Sequence, residues 1–339
     1  MNRIRIVFMG SAKISKIMLE RLCAEQERFQ VVGCVTQPDK PAKRGKKLVA
    51  CPCREFVEAR GIPCLTPARV NTPESLAQIA AWLPDVIVVV AYGQFLGRRL
   101  LDIPTLGCVN IHLSLLPRHR GASPIHAALL DGDPVAGVSA MLMDEGMDTG
   151  PVLMTESLPV LPEETYTSLE GRLARLGADV LVKVLPEWAF FRVRPTPQDP
   201  DRATTAYKIK KSDGLVRWEE PTGRILRKLR AYEAWPTSFT LMPDDHRECG
   251  KRLKVLAAKA DTPSAAEGGA APGTILSANG DGIRVKTGDG VLRLLAIQPE
   301  GGSRMDVASW LRGHTLDAGM RFATPPVPDA PPPEAFRRS

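Results

Sequence analysis

The sequence predicts an α/β fold, a doubly wound parallel sheet of Rossmann type, followed by a small β-barrel domain. Three observations lead there. Over the first 190 residues, short apolar runs alternate with amphipathic helical stretches, the rhythm of a sheet covered by helices on both faces. The segment Arg192-Val193-Arg194-Pro195-Thr196-Pro197-Gln198-Asp199-Pro200 then breaks that rhythm, being too stiff for a helix and too polar for a core. Beyond it come short strand candidates separated by turns such as Asn279-Gly280 and Gly288-Asp289-Gly290, the pattern of a small barrel.

Each element has its own justification. Arg3–Met9 is a buried strand running into Gly10-Ser11, and an amphipathic helix follows from about Ile14 to Cys23. Val31–Thr36 is a second strand, Cys51–Ala59 is helical, and residues 61–65 form a short strand. Pro73 opens a helix that Thr72 can cap, with Glu74 in its favourable first turn. Asp85–Val90 is a very apolar strand, of the kind buried on both faces in a parallel sheet. Val109–His112, a helix near Pro124–Leu130 and the strand Gly137–Met143 continue the alternation. Thr167–Leu185 carries Leu169, Leu173, Leu176 and Val180 at helical spacing, a core-facing stripe. After the linker, Thr222–Leu229 is a short helix, and strands follow at 238–242, 253–258, 273–277, 282–287 and 291–299. Asp261–Pro272 reads as an Ala/Gly-rich hairpin tip with little to hold it, and Pro325–Ser339 as a disordered tail. The expected boundaries are 1–190, a linker at 191–205, the barrel at 206–320 and a flexible tail at 321–339.

Composition narrows the function classes. The 339 residues suffice for two hydrophobic cores. No run of eighteen apolar residues exists, and the chain enters a strand pattern at once with no leader signal, so a cytoplasmic protein without a membrane segment is expected. Seven cysteines, an odd number, fit no zinc spacing; Cys51-Pro52-Cys53 lacks a second pair, and free thiols with no metal are expected. The net charge of +7 divides as +2 over residues 1–205 and +5 over 206–339, a weak positive field suited to a polyanion. Locally the charge is sharper: Lys40, Lys43, Arg44, Lys46 and Lys47 fall within eight residues of one loop. The turn after the first strand, Met9-Gly10-Ser11-Ala12-Lys13-Ile14, is neither G-x-G-x-x-G nor a Walker loop, which argues against a nicotinamide dehydrogenase.

The chemistry-bearing residues sit in two segments. Asn110-Ile111-His112 ends an apolar strand and places an amide and an imidazole on one side of it. Met143-Asp144-Glu145-Gly146-Met147-Asp148-Thr149-Gly150 can bring a carboxylate to the imidazole, from either Asp144 or Asp148. Amide, imidazole and carboxylate together can stabilise an oxyanion and move one proton, as acyl transfer to an amine requires.

On these motifs the chain resembles the bacterial methionyl-tRNA formyltransferase family over almost its whole length. Asn110-Ile111-His112-Leu113-Ser114-Leu115-Leu116-Pro117-Arg118-His119-Arg120-Gly121 is similar to the family's first site pattern, and Met143–Gly150 to its second. Thr36–Leu48 is similar to its basic loop; Ala91-Tyr92-Gly93-Gln94 also fits. Asp213–Trp218, Leu229–Pro236 and Gln298–Gly301 resemble segments of its C-terminal domain. Departures are Ala12-Lys13-Ile14-Ser15 after the first glycine, Lys43 for a usual glycine, His126 for glutamine, Val216-Arg217 before Trp218, and Gly302 for lysine.

The resemblance implies a formyltransferase-type Rossmann-like catalytic domain with an OB-like barrel that binds tRNA. It implies transfer of the formyl group of 10-formyltetrahydrofolate to the α-amine of methionine on initiator tRNA, for translation initiation, by a metal-free monomer. It assigns catalysis to Asn110, His112 and Asp148, with Asp148 orienting His112 and Asp144 capping local backbone. Folate contacts are expected from Val88, Val90, Tyr92, Ser114, Leu115, Leu116, Pro117, Gly146 and Asp148. Ser114 has no adjacent base or nucleophile elbow and is expected to bind folate or hold local structure. The tRNA contacts are expected from Lys40, Lys43, Arg44, Lys46, Lys47 and Arg230, with Arg224, Arg227 and Lys228 adding unspecific phosphate contacts. Trp218 and Trp235 are expected in core or interface packing. Two other readings stay open on sequence: a formyltransferase for an amino sugar or a purine precursor, and an RNA-binding module on an inactive scaffold.

Overall fold

The apolar run that opens the sequence is strand β1, Ile4–Met9, and Ile6 to Met9 are wholly buried. The structure, a computed structural model, describes residues 3–41, 48–264 and 267–323. It divides into two units, Met1–Lys208 and Ile209–Ser339.

In the first unit, helix α1 (Lys13–Ala24) and β2 (Phe29–Val35) follow β1. Two-residue strands β3 (Lys40–Pro41) and β4 (Leu48–Val49) form the stem of a hairpin, with Lys40 opposite Val49. Then come α2 (Pro52–Glu58), β5 (Cys64–Leu65) and α3 (Pro73–Ala81), whose cap Thr72 accepts from the Ser75 amide at 3.3 Å. Strand β6 (Val86–Val89) is buried throughout, each such side chain stabilising by about 1.5–3 kcal/mol. Next are α4 (Arg98–Leu101), β7 (Cys108–His112), β8 (Arg120–Gly121) and α5 (Pro124–Asp131). The hairpin β9 (Val135–Leu142) and β10 (Val152–Pro159), helix α6 (Tyr166–Ala189) and β11 (Thr205–Ala206) complete the unit. Helix α6 lies close on α1: a Cβ on Gly177 would stand 2.4 Å from Met18 Cε.

The main sheet has the order β10-β9-β7-β6-β1-β2-β5. Its β5-β2-β1-β6-β7 part is parallel, as the sequence predicts. Strands β9 and β10 are antiparallel, so the sheet is mixed, which corrects the all-parallel expectation. Strand β10 is the longest element absent from the sequence reading: it is an edge strand, its alternate residues exposed, with little apolar signal. Its consequence is functional, because the Met143–Gly150 motif becomes the loop of the β9–β10 hairpin.

The segment read as a linker belongs to the first unit. Thr196 and Val152 exchange both backbone hydrogen bonds at 2.8 Å, and β11 pairs in parallel with β8. The prolines suit this extended course across the sheet's end.

In the second unit, α7 (Thr222–Ala231) precedes β12 (Phe239–Leu241), β13 (Arg252–Asp261), β14 (Ile275–Asn279), β15 (Gly282–Lys286), β16 (Val291–Pro299) and β17 (Met305–Asp306), then α8 (Val307–Leu311). The sheet order is β12-β13-β16-β15-β14, with β17 added on β16. Trp218 is fully buried, stacks on Phe322 at 5.6 Å and donates its indole N–H to Thr240 Oγ1 at 3.1 Å. Trp235, expected in packing, is 45% exposed.

Two further expectations change. The Asp261–Pro272 tip is tied down: Asp261 Oδ2 accepts from Arg284 Nε at 2.9 Å and Arg293 Nη2 at 2.6 Å, and Glu267 pairs with Arg284. The packed part of the second unit extends past 320, since Arg321 and Ala323 bridge to Thr274 and Leu241 and Phe322 lies in the core. The expected disordered segment Pro325–Ser339 lies outside the described residues.

Candidate active site

Strand β7 ends in Asn110-Ile111-His112, and its pleat sends Asn110 and His112 to one side. Asn110 pairs with Met141 of β9 and Val89 of β6, and His112 with Ser139, so both residues are fixed by neighbours on either flank or on β9. Both are more than nine-tenths buried, yet they face the β9–β10 loop that carries Asp148. Asp148 adopts the left-handed region (φ +53°), where a non-glycine residue persists only when its surroundings hold it.

The three groups converge. Asn110 Nδ2 lies 3.4 Å from Asp148 Oδ1, and His112 Nδ1 lies 3.6 Å from Asp148 Oδ2. Both distances are long for hydrogen bonds. The firm contact on the carboxylate is a backbone one, Gly121 N–H donating to Oδ2 at 2.8 Å. Sequence patterns cannot flag such a donor.

His112 is likewise held by backbone. Its Nε2 meets the His119 carbonyl at 2.9 Å. A carbonyl can only accept, so Nε2 carries the proton, and Nδ1 is the nitrogen turned toward Asp148. The ring is therefore oriented by the His119 carbonyl, and Asp148 supplies a negative charge beside Nδ1. This refines the expected division of labour.

The loop from Leu113 to Gly121 is held by several hydrogen bonds. Ser114 Oγ donates to the Arg118 carbonyl at 2.6 Å, and Ser139 Oγ donates to the Ser114 carbonyl at 2.7 Å while accepting from Leu116 N–H at 3.0 Å. The Ser114 hydroxyl thus has a structural bond. His119 and Arg118 are anchored on Asp133, through contacts of 2.7 and 2.6 Å. Asp144 Oδ1 accepts from Gly146 N–H at 2.9 Å and Thr149 Oγ1 at 2.7 Å, so it shapes the loop and stays apart from His112, in line with the capping role expected of it.

Gln198, which no sequence motif marks, reaches this turn from the proline-rich segment. Its carboxamide N–H groups donate to the carbonyls of Asp148 at 2.9 Å and Gly150 at 2.7 Å, and its Oε1 accepts from Arg120 Nε at 3.0 Å and Nη2 at 2.8 Å.

The other expected site residues fall as follows. The side chains of Val88, Val90 and Tyr92 lie in the core, which leaves only their backbone for a ligand. Burial pushes the Tyr92 phenol up, so it stays neutral. The carbonyls of Val90 and Tyr92 already accept from Ser15 Oγ at 2.7 Å and Gln37 Nε2 at 2.8 Å. Leu115 and Pro117 are half-buried, Leu116 is buried, and Gly146 is exposed. Ser114 and Leu115 line a cavity of about 190 Å³ with His119 and Asp133, below the 300–1,000 Å³ usual for a ligand pocket. Lys43, Arg44, Lys46 and Lys47 lie outside the described residues; Lys40 is in the hairpin stem. Arg230 on α7 is half-buried and engaged within the protein. Lys228 is buried against Glu220 (3.4 Å) and the Leu215 carbonyl (3.2 Å), which leaves it poorly placed for a phosphate; Arg224 is 64% exposed. Among the described residues no cluster of His, Cys, Asp or Glu could hold a metal ion, and no helix is long and apolar enough to cross a membrane.

Comparison with known proteins identifies the family of the chain. The formyl transferase family model matches residues 3–185, and the model of the formyl transferase C-terminal domain matches residues 208–315. The methionyl-tRNA formyltransferase of Myxococcus xanthus is 44% identical over 321 residues, covering 95% of this chain and 98% of that protein. The protein of that name from Roseiflexus sp. (strain RS-1) is 43% identical over 319 residues, covering 94% and 95%. Among solved structures, an N-formyltransferase from Helicobacter canadensis, in complex with folinic acid and dTDP-3-aminofucose, superposes with a TM-score of 0.61 at 12% identity, over 86% of this chain and 98% of that one. HypX from Aquifex aeolicus with tetrahydrofolic acid gives 0.60 at 16%, over 95% and 51%. At such identities these likenesses speak for the fold alone.

Proposed function

The chain belongs to the methionyl-tRNA formyltransferase family, and from that membership we propose how its own residues perform the reaction. The enzyme moves the formyl group of 10-formyltetrahydrofolate to the α-amine of methionine esterified to tRNA. The single observation that carries the residue-level reading is the convergence of Asn110, His112 and Asp148 at the end of β7.

The amine attacks the formyl carbon, and negative charge develops on the formyl oxygen. Asn110 Nδ2, only loosely engaged with Asp148, turns to donate to that oxygen; one such donor is worth on the order of 3 kcal/mol in the transition state. The proton lost by the amine passes to His112 Nδ1, the nitrogen left open by the bond to His119, and from there to the departing N10 of the folate as the C–N10 bond breaks. Asp148 stabilises the imidazolium formed in between. No acyl-enzyme is needed, in keeping with the committed hydroxyl of Ser114.

Ser114–Pro117, Gly146 and Asp148 present the folate-binding edges, with backbone at Val88–Tyr92 beneath. Lys40, Lys43, Arg44, Lys46 and Lys47 of the basic segment contact the acceptor end of initiator tRNA. The second unit closes as an OB-like barrel, a reading supported by Arg321, which bridges to Thr274 beside β14, and by Ala323, which bridges to Leu241 of β12, these being the two outermost strands. It adds phosphate contacts through Arg230 and exposed cations such as Arg224. The enzyme acts as a monomer in the cytoplasm and needs no metal.

Formylation assays with charged initiator tRNA, uncharged tRNA and a UDP-amino sugar test this reading. Turnover on charged initiator tRNA alone is expected. Turnover on the sugar would move the enzyme to another formyl acceptor, and none on any substrate would leave a binding module.

A further inference from the structure

We propose that Gln198 is a positioning residue that holds the Asp148–Gly150 turn in its reactive shape. The inference rests on the reading that Asp148 takes part in the transfer. Asp148 occupies a backbone conformation that L side chains rarely adopt (φ +53°). Two carbonyls of this turn, those of Asp148 and Gly150, are gathered by the two N–H groups of one carboxamide, at 2.9 and 2.7 Å. That carboxamide is itself aimed by the Arg120 guanidinium, which donates to its oxygen at 3.0 and 2.8 Å. The planar fork of arginine makes the aim directional. Arg120 precedes Gly121, whose N–H holds the Asp148 carboxylate at 2.8 Å. Gln198 therefore ties together the backbone of Asp148 and the neighbour of the donor that fixes its carboxylate.

A merely structural role, stapling the proline-rich segment in place, is already filled. Thr196 is bonded to Val152 on one side of Gln198, both ways at 2.8 Å. On the other side Thr204 accepts from His119 N–H at 2.8 Å through its hydroxyl and from Arg120 N–H at 2.9 Å through its carbonyl. The segment stays docked without Gln198; the turn does not keep its shape. A Cβ on Gly150 would stand 1.9 Å from the Leu142 carbonyl, so the turn is packed tightly enough for a small shift to be felt.

Gln198→Ala removes both donors, and Gln198→Glu removes them while keeping an acceptor for Arg120. In the full-length enzyme, with saturating 10-formyltetrahydrofolate and charged initiator tRNA, each variant is expected to lower the single-turnover rate by roughly 30- to 100-fold. That is the scale of a misplacement near 1 Å. KM for both substrates should stay within about twofold, and melting should be little changed. In an Asp148→Asn background, adding Gln198→Ala should cost less than about twofold more, because residues acting through one group are not additive. A full independent loss in that background would overturn the proposal, as would a rise in KM at unchanged rate, or failure of both variants to fold. Asp148→Asn alone separates the two failures: if it keeps most of the activity, the reading of Asp148 is wrong; if it is inactive while Gln198 acts additively, only the inference about Gln198 falls.

Discussion

Gly121→Ala tests whether backbone geometry sets the carboxylate. Gly121 sits at φ +117°, and a Cβ there would lie 2.6 Å from the Ala206 carbonyl oxygen. The substitution carries strain of about 1–3 kcal/mol for the backbone conformation. It also forces β8 and β11 apart by roughly 1 Å to reach an ordinary contact. The Gly121 N–H, now 2.8 Å from Asp148 Oδ2, leaves hydrogen-bonding range. A hydrogen bond to a charged group is worth about 1.5–3 kcal/mol. At about 1.4 kcal/mol per factor of ten, the formyl-transfer rate should fall by roughly 10- to 150-fold. Rapid-quench single-turnover formylation with saturating substrates reads the rate, and thermal melting reads the strain. A folded variant with a rate within about threefold of wild type would refute the reasoning.

Four other outcomes are expected. Arg44→Ala should narrow the gap in kcat/KM between initiator tRNA and a variant with a paired first position, since its fork can lock onto one phosphate or base edge. Lys46→Ala should weaken all tRNAs alike and flatten the salt dependence by a slope of about one; equal losses for both mutants on both tRNAs would make the loop a general clamp. Burial pushes the Cys53 and Cys108 thiols up to about 12, whereas a hydrogen bond from Cys34 holds the half-buried Cys64 thiol below its ordinary value. Iodoacetamide near neutral pH should therefore label Cys64 at least about tenfold faster than either, followed by mass spectrometry; equal labelling would mean that the sheet opens. The hydrogen bond from Arg284 holds the Glu267 carboxyl down to about 2 from an ordinary 4.5. A depressed carboxyl stabilises above its unfolded pKa, and the benefit is lost as pH falls from 4.5 toward 2. The melting difference between wild type and Glu267→Gln should close over that window, and a difference constant through it would contradict the pairing.

Side-chain patterns made the strand–helix alternation legible, down to Thr72 as a cap and the shared side of Asn110 and His112, because burial and pleat act on neighbours in sequence. Strand β10 was not legible, since an edge strand with one exposed face lacks an apolar run. Phe322 looked like tail because prolines follow it, yet its ring stacks on Trp218, a contact 104 positions away along the chain. In the site, the side chains that do chemistry could be named from their motifs. The groups that aim them could not. The His119 carbonyl and the Gly121 N–H are backbone, which every residue has, and Gln198 acts across 50 positions.

The most direct test of the account is the single-turnover rate of Asp148→Asn with both substrates saturating. The change keeps the shape of the side chain and, with its amide oxygen toward Gly121, an acceptor for that N–H, while removing the charge beside His112 Nδ1. Without that charge the His112 imidazolium is no longer stabilised and its general acid–base catalysis, typically worth 10²- to 10⁴-fold, is lost in large part. The account predicts a fall of at least about a hundredfold with folate and tRNA binding largely intact. A variant that keeps more than about a tenth of the wild-type rate would contradict it.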